Sequence, residues 1–286
     1  MRKFSRAATS RARAEMIHLR TISLPALPDG EARQYPLSVP AIRSLAVAPI
    51  ELSAPVTFFV GENGSGKSAL LEALACAAGW ITVGSTSASG DQTLAAVRGL
   101  ARRLKLSWAS RRHAGFFMRS EDFFGYVKWL HSTREEFERD LAAIDEEYRD
   151  RSEQARNLAR MPILRELHDM RQRYGDDLDA NSHGESYFRL FRSRFVPNGL
   201  FLLDEPEAPL SPMRQIGLMA MIKMQIEQHG AQFIIATHSP ILMAFPGAAI
   251  YCFDGEGLRP ASYHELEHVT VTRAFLENPQ RYLRHL

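Results

Sequence analysis

The chain has 286 residues, of which 45% are hydrophobic and 24% are charged, and its formal net charge is +2. This composition excludes a disordered or fibrous protein, and the length suits one large domain. The near-neutral charge favours neither a nucleic-acid nor a membrane partner, and no apolar run approaches the ~20 residues that span a bilayer. We therefore expect a soluble, cytoplasmic protein, with Cys76 and Cys252 as buried thiols.

The first twenty residues form a basic segment. They contain one acid and six basic residues: Arg2, Lys3, Arg6, Arg11, Arg13 and Arg20. Three interpretations fit this pattern: a solvated tail, an arm that binds nucleic acid, or an over-extended start with Met16 as the true first residue. We expect a disordered basic tail over residues 1–20 and a single domain over residues 21–286.

Between residues 35 and 60 the sequence predicts short strands broken by prolines. The last of these runs, VTFFV, is directly followed by a glycine-rich loop and then by a helix that begins at Lys67 or Ser68. Leu70, Leu71 and Leu74 recur at helical spacing, so this helix is expected to bury one apolar face.

The loop between this strand and helix matches the phosphate-binding pattern G-x-x-x-x-G-K-[ST]. Its residues are Gly61, Glu62, Asn63, Gly64, Ser65, Gly66, Lys67 and Ser68. Glycines let backbone N–H groups surround an anion at the helix N-terminus. Lys67 is predicted to reach the β- and γ-phosphates of ATP, and the Ser68 hydroxyl to bind Mg²⁺.

The segment from about residue 94 to residue 190 is charged and predicted to be helical. One apolar stripe contains Phe137, Leu141, Ile144 and Tyr148, and a second contains Ile163, Leu167 and Met170. The stripes are too short for a long coiled coil, so they predict a helical lobe inserted into the domain.

After Gly199, apolar runs alternate with helical segments, and a proline-interrupted helix is expected at the C-terminus. Such runs are typical of parallel strands buried on both faces. The sequence therefore predicts an α/β fold of the P-loop type, with a mainly parallel sheet and flanking helices.

Acidic residues follow the run LFLL. We predict that Asp204 binds Mg²⁺ and that Glu205 polarises the water that attacks the γ-phosphorus. Glu207 fits a solvated loop acid at least as well as a functional role. His238, at the end of the run FIIAT, is predicted to lie near the γ-phosphate because one strand–helix–strand crossover separates it from Asp204.

Four motifs in order, GENGSGKS, NSHGES, LFLLDEPEAPLSP and ATHSP, resemble those of the ABC-type ATPase superfamily. Within it the chain is most similar to stand-alone AAA family ATPases and to the heads of chromosome-maintenance and recombination-repair ATPases. The resemblance implies a homodimer in which two ATP molecules lie between head-to-tail subunits. It also implies that Ser182, Gly184 and Glu185 belong to a signature motif that binds the partner's ATP.

The chain departs from this family in three places. His183 replaces the first signature glycine, and Arg119 stands where the family has a glutamine near the metal, with Ser120 or Glu121 as possible substitutes. A guanidinium cannot bind Mg²⁺, since it has no acceptor atom. The segment APLSP replaces the usual SALD, and Tyr35 fits either adenine stacking or simple packing.

These features predict an ATP-hydrolysing switch that acts on a partner. The partner is a nucleic acid or an effector protein. For DNA or RNA, the candidate surface is a basic cluster that fits a solvated face equally well: Arg98, Arg102, Arg103, Lys105, Arg111 and Arg112. Two alternatives remain: a regulator of a defence or toxin–antitoxin effector with little turnover, and a transporter subunit.

Overall fold

The computed structural model describes residues 17–26, 28, 33–80, 92–109, 114–174 and 183–284. The chain divides into two compact units: Met1–Ser120 together with Val196–Leu286, and Glu121–Phe195. The strands described in the first unit are β1 Leu19–Ser23, β2 Ile50–Glu51, β3 Val56–Gly61, β4 Lys105–Trp108, β5 Ala114–Arg119, β6 Gly199–Asp204, β7 Gln232–Ala236, β8 Ala249–Phe253 and β9 Leu258–Pro260.

The helices lie between these strands and after the last of them. Those described are α1 Pro40–Ser44, α2 Lys67–Ala78, α3 Arg98–Ala101, α4 Ser120–Glu147, α5 Glu153–Tyr174, α6 His183–Arg194, α7 Pro212–His229, α8 Pro240–Met243, α9 Glu267–Glu277 and α10 Pro279–Leu283. Within the described part of the chain, no helix is long and apolar enough to cross a membrane.

The main sheet has six strands in the order β5-β6-β7-β3-β8-β9. The first five are parallel, and β9 pairs antiparallel with β8. Every residue of β3, β6 and β7 is buried, as expected for central strands of a parallel sheet covered on both faces. The predicted α/β fold with a mainly parallel sheet is confirmed.

A second, antiparallel sheet has the order β2-β1-β4. Strand β1 begins inside the segment expected to be a disordered tail, so that expectation is wrong for residues 19 and 20; Leu19 is only 1% exposed. The buried Gln232 side chain joins this sheet to β7, because its Oε1 accepts from the Leu19 N–H (2.9 Å) and its Nε2 donates to the Leu19 carbonyl (3.0 Å). Residues 1–16 lie outside the described residues.

Other local expectations are also corrected. The segment expected to be broken strands contains helix α1, because Pro40 occupies a first-turn position where its missing N–H costs nothing. Cys76 and Cys252 are free but only half-buried. The C-terminal helix is interrupted at Asn278, directly before Pro279, as predicted.

The second unit consists mostly of helices α4, α5 and α6. It starts at Glu121 rather than near residue 94, since residues 105–108 and 114–119 form strands of the first unit. Leu167 is buried, and the remaining members of both predicted stripes are partly buried. Asp145 of α4 pairs with Arg160 of α5 at 3.5 Å, which links the two helices within this unit.

Candidate nucleotide site

The glycine-rich loop connects β3 to α2 in a backbone conformation that requires glycine. Gly61 has φ +146° and Gly66 has φ +101°. A Cβ at Gly61 would lie 2.1 Å from the Phe253 carbonyl oxygen, and one at Gly66 would lie 2.9 Å from Val39 Cγ1. Gly64, with φ +78°, has open space around its Cβ position. Neighbouring atoms therefore exclude a side chain at Gly61 and Gly66, whereas at Gly64 only the positive φ favours glycine.

Lys67 lies beneath this loop and is 4% exposed. Its Nζ donates to the carbonyl oxygens of Gly61 (2.9 Å) and Glu62 (2.8 Å). Burial lowers the pKa of Lys67, while Asp204 and Glu205 oppose the shift. The ammonium group is therefore held inside the loop, where it would contact an anion bound by the backbone N–H groups.

Ser68 and Asp204 bring two oxygen ligands together. The Ser68 hydroxyl donates to Asp204 Oδ1 at 3.0 Å. Burial at the end of β6 raises the pKa of Asp204 to about 7, although the Ser68 hydrogen bond lowers it. Among the described residues, no group of three or more His, Cys, Asp and Glu side chains could hold a metal. A serine and one carboxylate suit Mg²⁺, which commonly takes few protein ligands and completes its shell with phosphate and water.

The Ser65 hydroxyl gives a further test of whether an anion fits this loop. Its oxygen is buried and has no hydrogen-bond partner among the described residues. The N-cap residue of α2 is Gly66, which has no side chain that could accept from the first-turn N–H groups. Polar groups at a glycine-rich helix start that lack protein partners suit a bound phosphate. The loop therefore fits the triphosphate that its sequence predicts.

Glu205 follows Asp204 in a left-handed backbone conformation, with φ +49°. Its N–H donates to the Ala236 carbonyl oxygen at 2.9 Å, which ties the turn to β7. Its carboxylate lies 3.6 Å from His238 Nε2 and is 42% exposed. The predicted water-polarising acid and the predicted histidine are therefore neighbours.

Glu207 is not a solvated loop acid. Its Oε1 accepts from the Thr237 hydroxyl (2.8 Å) and from the His238 N–H (2.7 Å). Burial raises the pKa of Glu207, while these hydrogen bonds lower it. Glu207 therefore fixes the backbone of the segment that carries His238.

His238 lies directly after β7 and Thr237. Burial lowers its pKa, and the nearby Lys67 ammonium adds to the decrease. Its Nδ1 lies 3.0 Å from Nε2 of His268 in α9, a residue that no motif in the sequence indicated. His238 Nε2 is buried and makes no hydrogen bond within the described residues.

A cavity of about 450 Å³ borders the loop. Its wall combines the loop with two segments that sequence reasoning missed, Cys252–Gly255 and Leu266–His268. Neither segment belongs to a sequence motif, so only the fold shows that the two segments line the cavity.

Not every predicted site residue can be placed. Asn181 and Ser182 lie outside the described residues, while Gly184 and Glu185 fall in the first turn of α6, in the second unit. Arg119 ends β5 in register with Asp204 and pairs with Glu72 at 3.6 Å. Arg119 therefore lies beside Asp204 at the carboxyl edge of the sheet. Tyr35 is 61% exposed.

Residues 37–100, which contain the glycine-rich loop, match a family model described as an AAA domain. A search of curated proteins found no match. The family model confirms the predicted resemblance over the phosphate-binding part of the chain. With the geometry above, it supports the predicted P-loop fold.

Solved structures similar to the chain include ABC cassettes and SMC heads. CbiO1 of Clostridium perfringens, part of an ABC transporter complex, is 17% identical, with 84% of this chain and 91% of that chain covered and a TM-score of 0.43. An SMC head domain from Pyrococcus furiosus is 12% identical, with 91% and 99% covered and a TM-score of 0.42. The SMC head domain from Thermotoga maritima is 15% identical, with 86% and 100% covered and a TM-score of 0.39. At these scores the similarities carry no conclusion about activity.

Proposed function

We propose that the chain binds ATP with Mg²⁺ and hydrolyses it to ADP and phosphate. The observation that carries the proposal is the convergence of four groups at the carboxyl edge of the main sheet. These groups are the glycine-rich loop with Lys67, the Ser68–Asp204 pair, Glu205 and His238. Ligands of open α/β sheets bind at this edge.

Each protein group has a role that its surroundings support. The loop N–H groups and the Lys67 ammonium bind the phosphates and stabilise their negative charge. The Glu205 carboxylate, partly exposed beside the site, accepts hydrogen bonds from the attacking water. That water oxygen forms the new bond to the γ-phosphorus while the bond to the bridging oxygen of ADP breaks. His238 Nε2, which has no hydrogen-bond partner among the described residues, is available to a phosphate oxygen or to the water.

Mg²⁺ held by Ser68 and Asp204 would neutralise charge on the β- and γ-phosphates. Asp204 must be ionised to serve as a ligand. Because burial raises its pKa to about 7, the metal-free site holds this carboxyl near its midpoint of ionisation at neutral pH.

We further propose that the chain works as a switch that dimerises around ATP. The resemblance to ABC-type ATPases supports this, since it assigns Ser182, Gly184 and Glu185 to the ATP of the opposite subunit. The switch would act on a nucleic acid or an effector protein. Exposure of Arg102 and Lys105 favours a nucleic acid, because basic residues on a surface attract phosphate backbones.

The test compares ATP turnover, ATP binding by calorimetry and gel filtration for three variants. Lys67→Ala should abolish binding, because it removes the only charged group held inside the loop among the described residues. Glu205→Gln should bind ATP, lose about 10²–10³-fold in turnover and accumulate as a dimer. Lys223→Ala, an exposed lysine of α7, is the control and should behave as wild type.

Two results would contradict this proposal. ATP binding that survives in Lys67→Ala would remove the loop as the phosphate site. A Glu205→Gln protein that stays monomeric under saturating ATP would remove the dimeric switch, while leaving ATP binding intact.

A further inference from the structure

His268 contacts His238 from a separate element, helix α9. The distance between His238 Nδ1 and His268 Nε2 is 3.0 Å, and the ring centroids lie 5.1 Å apart. This distance is that of a hydrogen bond, so one nitrogen carries a hydrogen and the other presents a lone pair.

Two opposite charges act on the His238 ring. The Lys67 ammonium is hydrogen-bonded to the carbonyl oxygens of its own loop, whereas the Glu205 carboxylate lies close to a ring nitrogen and favours one direction of the histidine hydrogen bond. On the opposite side of the ring, His238 Nε2 faces the Glu205 carboxylate at 3.6 Å. A carboxylate attracts an N–H and repels a lone pair, so the hydrogen of the neutral His238 ring belongs on Nε2. Nδ1 is then the acceptor, and His268 Nε2–H is the donor.

The segment that carries His268 is anchored on both sides. Leu266 is 4% exposed and Val269 is 3% exposed, so the start of α9 packs firmly into the first unit. Just before it, the Tyr263 hydroxyl donates to the Pro240 carbonyl oxygen at 3.2 Å, two residues after His238. This hydrogen bond therefore joins the segment that precedes His268 to the segment that follows His238.

We propose that His268 is a positioning residue, which donates to His238 Nδ1 and so holds His238 with its Nε2–H directed toward Glu205. The inference rests on the proposed ATPase function and deepens it. A histidine that can donate only from Nε2 serves a phosphate oxygen or the attacking water, whereas the other tautomer would present a lone pair. The role matches that of groups which fix the tautomer of a working imidazole in other sites.

The kinetic test uses His268→Ala, His268→Gln, His238→Ala and the double variant His238→Ala/His268→Ala. His268→Ala should lower kcat about tenfold, with KM for ATP changed by less than about twofold. His268→Gln should recover most of kcat because its amide N–H can replace the donor. Adding His268→Ala to His238→Ala should cost nothing more, since the first acts through the second. His264→Ala, an exposed histidine four residues earlier, is the control.

A second measurement does not depend on turnover. Nitrogen-15 NMR of the imidazole groups should show His238 of the wild type with hydrogen on Nε2 and a bare Nδ1. In His268→Ala, the nitrogen-15 chemical shift of the unprotonated His238 Nδ1 should move away from its hydrogen-bonded value. The His238 ring should then populate both tautomers. His268→Gln should restore the wild-type signal.

Three results would overturn the inference: a His238 that carries its hydrogen on Nδ1, tautomer signals unchanged in His268→Ala, or kinetic losses that add in the double variant. If the wild type binds no ATP or does not turn it over, the proposed function fails instead. The tautomer spectrum then decides the histidine pair alone.

Discussion

Glu205 and Glu207 are two residues apart and have opposite surroundings. Glu205 adopts a left-handed backbone that costs on the order of 1 kcal/mol in a residue with a side chain. That conformation places its partly exposed carboxylate beside His238. Glu207 is partly buried and accepts two hydrogen bonds from the segment of Thr237 and His238. At the residue scale, the acid proposed to polarise water stays partly exposed, whereas the other acid fixes the histidine segment.

Asp204 gives a prediction with a definite pH dependence. Its folded pKa is raised to about 7, whereas an unfolded aspartate titrates near ~3.9. The buried charge therefore destabilises the metal-free fold increasingly as the pH rises from about 4 to about 7, and fully above that. Asp204→Asn should stabilise the protein by ~1–3 kcal/mol at pH 8 and by much less at pH 4.5.

Urea unfolding at both pH values in the presence of a chelator measures this difference. The exposed Asp150→Asn is the control. A gain in the Asp204→Asn variant that is larger at pH 4.5 than at pH 8 would contradict the assigned burial of this carboxylate.

At the scale of elements, adjacent strands bring the site together. Strand β6 ends in Asp204, β7 leads into His238, and β3 ends in Gly61, and these three strands are neighbours in the order β6-β7-β3. Because parallel strands share one carboxyl edge, three short loops suffice to assemble acid, histidine and phosphate loop. Helix α2 closes the arrangement through the hydrogen bond from Ser68 to Asp204.

The link between the two sheets provides a prediction about stability. Gln232 exchanges two hydrogen bonds with Leu19 and accepts a third from the His18 N–H at 2.8 Å. Gln232→Leu should leave these buried backbone groups unpaired and lower the free energy of unfolding by about 2–4 kcal/mol. Gln228→Leu, an exposed glutamine of α7, is the control for the same chemical change, and urea unfolding compares the two. Equal stability of both variants would show that Gln232 does not tether the sheets.

The elements that sequence predicts here are those with a strong local pattern. The apolar runs at residues 56–60, 200–203 and 232–236 specify buried parallel strands, and glycine spacing specifies the phosphate loop. Strand β1 has a short, mixed pattern, and its partners β2 and β4 are distant in sequence, so the small sheet depends on tertiary packing. His268 could not be predicted from the sequence either, because only the tertiary fold brings it into contact with His238.

At the scale of the whole molecule, the described site groups all belong to the first unit, while Gly184 and Glu185 belong to the second. The family resemblance implies that the signature motif completes a site on another copy of the chain. A complete catalytic unit would then contain Lys67 from one subunit and Ser182 from its partner. Such closed, two-fold assemblies are common among soluble proteins.

Mixing inactive variants tests this arrangement. Lys67→Ala and Ser182→Ala should each lack turnover, yet their mixed dimer keeps one intact pair of Lys67 and Ser182. Equal amounts should therefore recover up to about a quarter of wild-type ATP turnover. Equal amounts of wild type and the doubly substituted chain are a second test. Only the wild-type homodimers keep intact pairs, so about a quarter of wild-type turnover should remain, rather than about half if both residues act within one subunit. If the mixture of Lys67→Ala and Ser182→Ala stays as inactive as either variant alone, both residues act within one subunit or the two sites are obligately coupled.

The Lys67 ammonium already rests on two carbonyl oxygens of its own loop. Most of the water that would surround a free lysine is therefore gone before any nucleotide arrives. In the proposed complex, these two carbonyl contacts are exchanged for contacts with phosphate oxygens, so part of the desolvation of Lys67 takes place when the chain folds.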